Sequence, residues 1–401
     1  MKNHRIEKTV LLTIYGLVIT SSGILSPVLP LYLTSLSITP QELGLLFSVQ
    51  MIAVAIGELT WGRVIDKVGV NVALFTGTFL TAGLASLYLV IQSLPLFFLL
   101  FFGLGFVRAA IIITGRWYVA VNSPPSERAS SMGLVTGIGS GARSVSNILG
   151  GAIVDLWGFT TALQSAIVGP TLGGILYLLT FHRLRASRAE QADSVPSEED
   201  KRPLSIREVI FSIVGIQGLV AALIFTGLSI FITYMPLLST QVMGSDATGA
   251  GTLLSIQGFV TLFVVVPLGR LADRKGKRLF MIIGLLGTAT AFLGMAFSSS
   301  YTMLVIFTIL FSLSFAIFVP AALGTLSETV PNHQQGLAIG MYGVFEDAGM
   351  VAGSGIGGIV WEQLGHVATF LCGSLASIIG AFLSIRILRT RVEKYKQSDG
   401  P

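Results

Sequence analysis

Four ionisable side chains lie deep inside long apolar runs of this chain: Arg108 in the run 95–119, Arg143 in 131–155, and Glu346 and Asp347 in 336–361. A charge in such a setting costs about 2.5–3.5 kcal/mol to insert, so each must be paired or used. An arginine supplies a fixed positive charge and five donors, suited to an anionic group or an acidic partner. A carboxyl group partly removed from water holds its proton more tightly, and a nearby arginine reverses that. A moving partner could therefore load and unload a proton. Glu346 and Asp347 are adjacent, so on a helix they point ~100° apart and serve different neighbours. The plainer alternative is charge balance, with Arg108, Arg116 and Arg143 offset by Glu58, Glu346 and Asp347 in static pairs. Gln50 and Gln257, each midway along its run, could hydrogen-bond a solute or hold helices together.

These residues need helices to carry them. The chain is 52% apolar and only 11% charged over 401 residues, against ~25% charged in ordinary soluble domains. Apolar runs long enough to cross a ~30 Å hydrocarbon core recur along its whole length. They fall at 11–33, 41–62, 71–92, 95–119, 131–155 and 161–181, then at 209–238, 248–269, 279–297, 301–326, 336–361 and 367–388. Without water the backbone must bond to itself, which predicts helices; helix-length runs rather than ~10-residue alternation argue against a barrel. The expected organisation is a six-helix bundle over 1–181, a charged linker at 182–208, a second six-helix bundle over 209–389 and a tail at 390–401. None of the 25 Lys and Arg residues falls in the six short connections on one side. By the positive-inside rule that side is outside, and both termini lie in the cytoplasm.

Charge and composition also exclude classes. The net charge of +5 follows from this topology, so no nucleic-acid partner is read from it. A single cysteine, Cys372, leaves no Cys-based metal site or intramolecular disulfide. The four histidines (His4, His182, His333 and His366) lie in loops or at span ends. No Ser/His/Asp set or metal-ligand spacing is visible, so catalytic residues, metals and cofactors are expected to be absent.

The chain also repeats itself. Gly62, Asp66 and Gly69 return 207 residues later as Gly269, Asp273 and Gly276. The same offset relates Ser48 to Ser255, Gln50 to Gln257, Gly151 to Gly358, Asp155 to Glu362 and Gly158 to Gly365. A register this long marks a duplication. Asp155 and Glu362 fall at outer span ends, where they mark the membrane–water interface.

Twelve spans in two halves resemble the major facilitator superfamily. The stretch Gly269-Arg270-Leu271-Ala272-Asp273-Arg274-Lys275-Gly276-Lys277-Arg278 is similar almost throughout to that family's loop between its second and third spans. The first copy keeps Gly62, Asp66 and Gly69 but ends in Val70-Asn71. In the family this loop acts as a latch, here Gly62, Asp66, Gly69, Gly269, Asp273, Arg274 and Gly276, with the glycines permitting a tight turn. Ser26-Pro27-Val28-Leu29-Pro30 resembles a signature of twelve-span drug:proton antiporters. The antiporter motif of span five is reduced to Ala142, Ser146, Asn147, Gly150 and Gly151, and its span-eleven counterpart is closer, with Gly349, Gly353, Ser354, Gly357 and Gly358. The resemblance implies an all-α membrane protein of two pseudo-symmetric six-helix bundles, monomeric and multi-pass in the cytoplasmic membrane. It implies no enzyme but a carrier of a small-molecule substrate by alternating access, with protons and membrane lipid as partners. Proton-coupled efflux of drug-like compounds is one expectation; a facilitator or symporter of a polar or anionic metabolite, a non-transporting sensor or a membrane-embedded enzyme are the others. Arg108, Arg143, Glu346, Asp347, Gln50 and Gln257 are the candidates for cargo binding or coupling.

Overall fold

A computed structural model describes residues 2–122, 128–186, 213–330 and 335–398. The linker acids and prolines of the segment 187–212, and the Pro124 and Pro331 joints, lie outside the described residues. What is described is helical, with no strand among the described residues. The helices are α1 (Lys2–Ser35), α2 (Pro40–Val68), α3 (Val70–Ser86), α4 (Leu94–Asn122), α5 (Arg128–Ala186), α6 (Ile213–Leu237), α7 (Ala247–Lys275), α8 (Lys277–Ala296), α9 (Tyr301–Thr329) and α10 (Gln335–Ser398).

All ten are long and apolar enough to cross a membrane. Two of them cross twice. The apolar part of α5 runs for 44 residues and that of α10 for 48, about twice the ~20 residues that one crossing needs. Each is broken at one glycine with a positive φ, Gly158 (φ 82°) and Gly365 (φ 83°). These glycines are repeat mates, and a single left-handed residue replaces the loop expected between the paired spans. Twelve crossing segments result among the described residues. Pro236 near the end of α6 removes one backbone donor, and a π-helical turn follows over Leu238–Val242.

The chain separates into two compact units. One contains residues 1–38, 49–202 and 246–255; the other contains 39–48, 203–245 and 256–401. Thus the first turns of α2 and of α7 each belong to a different unit from the rest of their helix. In the first unit α1 packs on α5, and α3 packs on α4 and α5. Its interior holds Ile14, Val18, Leu74, Ile111 and Tyr177, beside a patch of Trp61, Ile65, Ala73, Ala109 and Ala110. In the second unit α6 and α8 pack on α10, and α9 packs on α8. A chain of rings runs through it, Phe231 to Phe311 at 4.9 Å, Phe311 to Phe292 at 5.3 Å and Phe292 to Phe370 at 5.9 Å. Such pairs add roughly 0.5–1.5 kcal/mol each beyond the area they bury. Large apolar side chains such as Leu99, Leu179 and Phe382 remain exposed, as a bilayer-facing surface requires.

Candidate functional site

Arg108 sits midway along α4 and Arg143 lies in the first limb of α5, both in the first unit. Small residues bring the helices close around them. Gly105 faces the Gln50 carbonyl of α2 so closely that no side chain would fit. A Cβ at Gly23 of α1 would lie 2.9 Å from the Arg143 carbonyl. With its nitrogen turned toward those carbonyls, the Asn147 amide donates to Gly23 O at 2.9 Å and Arg143 O at 3.3 Å.

Both arginine side chains are half-buried, and their Nε atoms are shielded without a hydrogen-bond partner. Among the described residues neither guanidinium takes part in an ion pair. Arg143, Tyr15 and Glu58 all lie within electrostatic reach of Arg108. Tyr15 is also the polar neighbour of Arg143. The expected cations therefore come together, with a tyrosine that sequence reasoning passed over as one more aromatic in an apolar run. The side chain of Arg116 lies outside the described residues.

Glu346 and Asp347 are half-buried in the first limb of α10, in the second unit. Tyr342, one turn before Glu346 and buried, lies within its electrostatic reach. Gln257 donates to Thr261 Oγ1 at 3.3 Å within its own helix. The Gln50 side chain is half-buried, with its backbone at the α2–α4 contact.

The repeated glycine–aspartate motifs are more helical than a loop. Gly62 and Asp66 lie inside α2, and Gly269, Asp273 and Arg274 lie inside α7. Only Gly69 (φ 96°) and Gly276 (φ 104°) make the turn into the next helix. One left-handed residue suffices to reverse the chain, so the first glycine of each motif needs no special backbone. Asp273 pairs with Lys277 at 3.3 Å, and Lys277 reaches Glu328 at 2.7 Å. Asp66 and Arg274 are exposed.

At the opposite ends of these helices the 207-residue register reappears as two equivalent seams. In the first unit, Asp155 of α5 accepts the Ala247 and Thr248 N–H groups of α7 at 3.0 and 2.7 Å, and the Thr248 hydroxyl at 2.5 Å. Below it Gly151 meets the Ala247 backbone and Gly251 meets the Asn147 carbonyl, each too closely for a side chain. The Ser255 hydroxyl then donates to the Ser144 carbonyl at 2.5 Å. In the second unit, Glu362 of α10 accepts the Gln41 N–H of α2 at 3.0 Å. Gly358 meets the Pro40 carbonyl, Gly44 meets the Ser354 carbonyl, and the Ser48 hydroxyl donates to Val351 O at 2.9 Å. The Thr248 and Gln41 N–H bonds, the two pairs of close glycine contacts and the Ser255 and Ser48 hydroxyl bonds are repeat mates; the Ala247 N–H and Thr248 hydroxyl bonds to Asp155 have no counterpart at Glu362. The carboxylates cap helix N-termini, where exposed donors favour negative charge.

This two-fold helical plan has close parallels. The sequence profile described as "Major Facilitator Superfamily" matches residues 11–250 and 218–400. The chain belongs to the Major Facilitator Superfamily. Multidrug resistance protein MdtG of Klebsiella pneumoniae (strain 342) is 27% identical over 394 residues, covering 94% of this chain and 92% of that protein. The uncharacterised MFS-type transporter YuxJ of Bacillus subtilis (strain 168) is 26% identical, covering 94% and 97%. Among solved structures, a bacterial homolog to the human lysosomal transporter Spinster superposes with a TM-score of 0.80 at 13% identity, covering 98% of both chains. The nucleoside transporter NupG superposes at 0.76 and 17%, covering 95% of this chain and 98% of NupG. At those identities the structures establish the fold alone. A multi-pass membrane transporter of small molecules, rather than an enzyme, is what family and fold describe.

Proposed function

We propose that this transporter exports drug-like amphipathic solutes from the cytoplasm by alternating access of its two repeats, 1–181 and 209–389, and that proton entry drives it. The carrying observation is the match to multidrug resistance proteins over more than nine-tenths of both chains. Two half-buried acids in α10, Glu346 and Asp347, support a proton route, because a carboxyl whose surroundings alternate can bind its proton on one side and release it on the other. The distribution of Lys and Arg supports cytoplasmic termini and cytoplasmic Gly69 and Gly276 turns. Arg108, Arg143, Gln50 and Gln257 supply the polar contacts for cargo.

Proteoliposomes holding a self-quenching amphipathic dye test this reading under an imposed pH gradient. Wild-type protein is expected to concentrate dye against its gradient. One of Glu346→Gln and Asp347→Asn should abolish accumulation yet retain dye exchange, since the two side chains face different neighbours. If wild type moves dye without regard to the proton gradient, coupling is refuted. If both variants still accumulate dye, neither acid is the carrier.

A further inference from the structure

We infer that Tyr234 is a positioning residue for alternating access: its hydroxyl is the catch on which the first turn of α2 seats when the α2–α10 seam closes. This deepens the transport reading above, and the word access rests on that reading; the contacts all lie within the second unit. The α2–α10 seam lacks what strengthens its counterpart, since Glu362 takes one hydrogen bond where Asp155 takes three. Tyr234 of α6 brings a third helix to that place. It is fully buried. Its ring stacks on Trp361 of α10 with centroids 5.6 Å apart, and its hydroxyl donates to Ser354 O at 2.5 Å. The residue 207 positions earlier is Pro27, whose ring carries no donor, so the first unit cannot make the equivalent bond.

The backbone around that hydroxyl leaves room for it and for nothing more. A Cβ at Gly44 of α2 would strike both the Tyr234 hydroxyl and Ser354 O, and one at Gly358 of α10 would strike the hydroxyl and the Pro40 carbonyl. Ser354 joins the same three helices, because its own hydroxyl lies 2.9 Å from Ser48 Oγ of α2. Below this junction two more hydroxyls strap α6 to α10: Thr226 donates to Gly349 O at 3.2 Å and Ser229 to Met350 O at 2.7 Å. The acceptors rise with the donors, so the two helices run parallel and are tied along their contact. The first turn of α2 is the piece left to detach, and Tyr234 is the member of that row against which it rests. Beyond its own helical bond, the Ser354 carbonyl has a second lone pair to satisfy. The phenol satisfies it whether α2 is seated or not. Without the phenol oxygen that lone pair would be wet when α2 is away and dry when α2 closes over it, which penalises the closed seam alone.

Thiol labelling of the full chain in proteoliposomes tests this. The reporter is Ser48→Cys in a Cys372→Ser background, a buried position in the seam that a charged methanethiosulfonate reaches when α2 lifts. Tyr234→Phe, which keeps the ring and its stacking, is expected to speed labelling about threefold to tenfold, the range that one net hydrogen bond supplies. Gly44→Ala, which crowds the same contact from α2, should speed it at least as much. Ser229→Ala is the control. It deletes a neighbouring α6–α10 bond that has no part in seating α2, so it should lower the unfolding midpoint yet leave labelling within about twofold of the parent. Unchanged labelling in Tyr234→Phe overturns the inference, and so does an equal acceleration by Ser229→Ala, which would make the effect a general loosening. Should Tyr234→Phe not fold, Gly44→Ala decides, and unchanged labelling there overturns the inference as well. The two readings fail separately, because labelling needs no solute. Protein that exports dye under a proton gradient but labels alike with and without the Tyr234 hydroxyl keeps the proposed function and loses the catch. Protein that moves no dye yet shows the expected labelling pattern does the reverse.

Discussion

The two glycines of each repeated motif have opposite physical reasons for being there, and substitution should separate them. Gly62 is helical with open space around the position a Cβ would take. Alanine there removes backbone freedom from the unfolded chain without a clash, so Gly62→Ala should leave stability unchanged or raise it by up to about 1 kcal/mol. Gly69 and Gly276 are held at φ 96° and 104°, a conformation that costs a side chain roughly 1–2 kcal/mol. Gly69→Ala and Gly276→Ala should therefore lower the thermal unfolding midpoint of the purified protein, and Gly62→Ala should not. Stable but inactive Gly62→Ala would show that its neighbourhood fills during turnover. The sequence pattern alone could not sort these glycines. Asp66 and Lys67 read as loop because hydropathy falls there, whereas the helix simply continues to Val68 past the apolar boundary. The costly intramembrane charges were legible. Their convergence with Tyr15 was not, because that depends on how three helices are rotated about their axes.

Between helices, the seams turn a sequence repeat into matched chemistry of unequal strength. Asp155 takes three hydrogen bonds from the first turn of α7, while Glu362 takes one from the first turn of α2. Both acids are exposed, so each is worth what a surface cap is worth, about 0.5–2 kcal/mol. Asp155→Ala should fall near the top of that range and Glu362→Ala near the bottom, with the thermal midpoint dropping accordingly. Equal losses would mean that the extra bonds of Asp155 add nothing in solution. The offset of 207 residues foretold that these two acids are partners, as it did for Ser48 with Ser255. What it left open was the contact each would make. The steps of four and three through Gly151, Asn147 and Ser144 on one side, and of four through Ala247, Gly251 and Ser255 on the other, become a seam only once small residues let two backbones touch.

For the molecule as a whole, the duplication means that one seam can stand for both. The starts of α2 and α7 each group with the unit opposite to the remainder of their own helix, and on the proposed alternating-access reading these first turns are expected to detach and rejoin during the cycle. Ser48 and Ser354 offer a way to stop that. Their hydroxyl oxygens are 2.9 Å apart within the second unit, which makes the pair a candidate for cross-linking as cysteines. Cys372 is the chain's one native cysteine, so a Cys372→Ser background carrying Ser48→Cys and Ser354→Cys holds a single thiol pair. Mild oxidation should form the bond in most molecules and reduce dye transport in proteoliposomes at least tenfold, and dithiothreitol should restore it. Each single-cysteine variant should transport normally under both conditions, which separates the cross-link from any effect of the thiols. A fully oxidised double variant that still transports would mean that the α2–α10 seam stays closed throughout turnover. Opening would then have to occur elsewhere, and the equivalence of the two seams would be one of architecture without a shared motion.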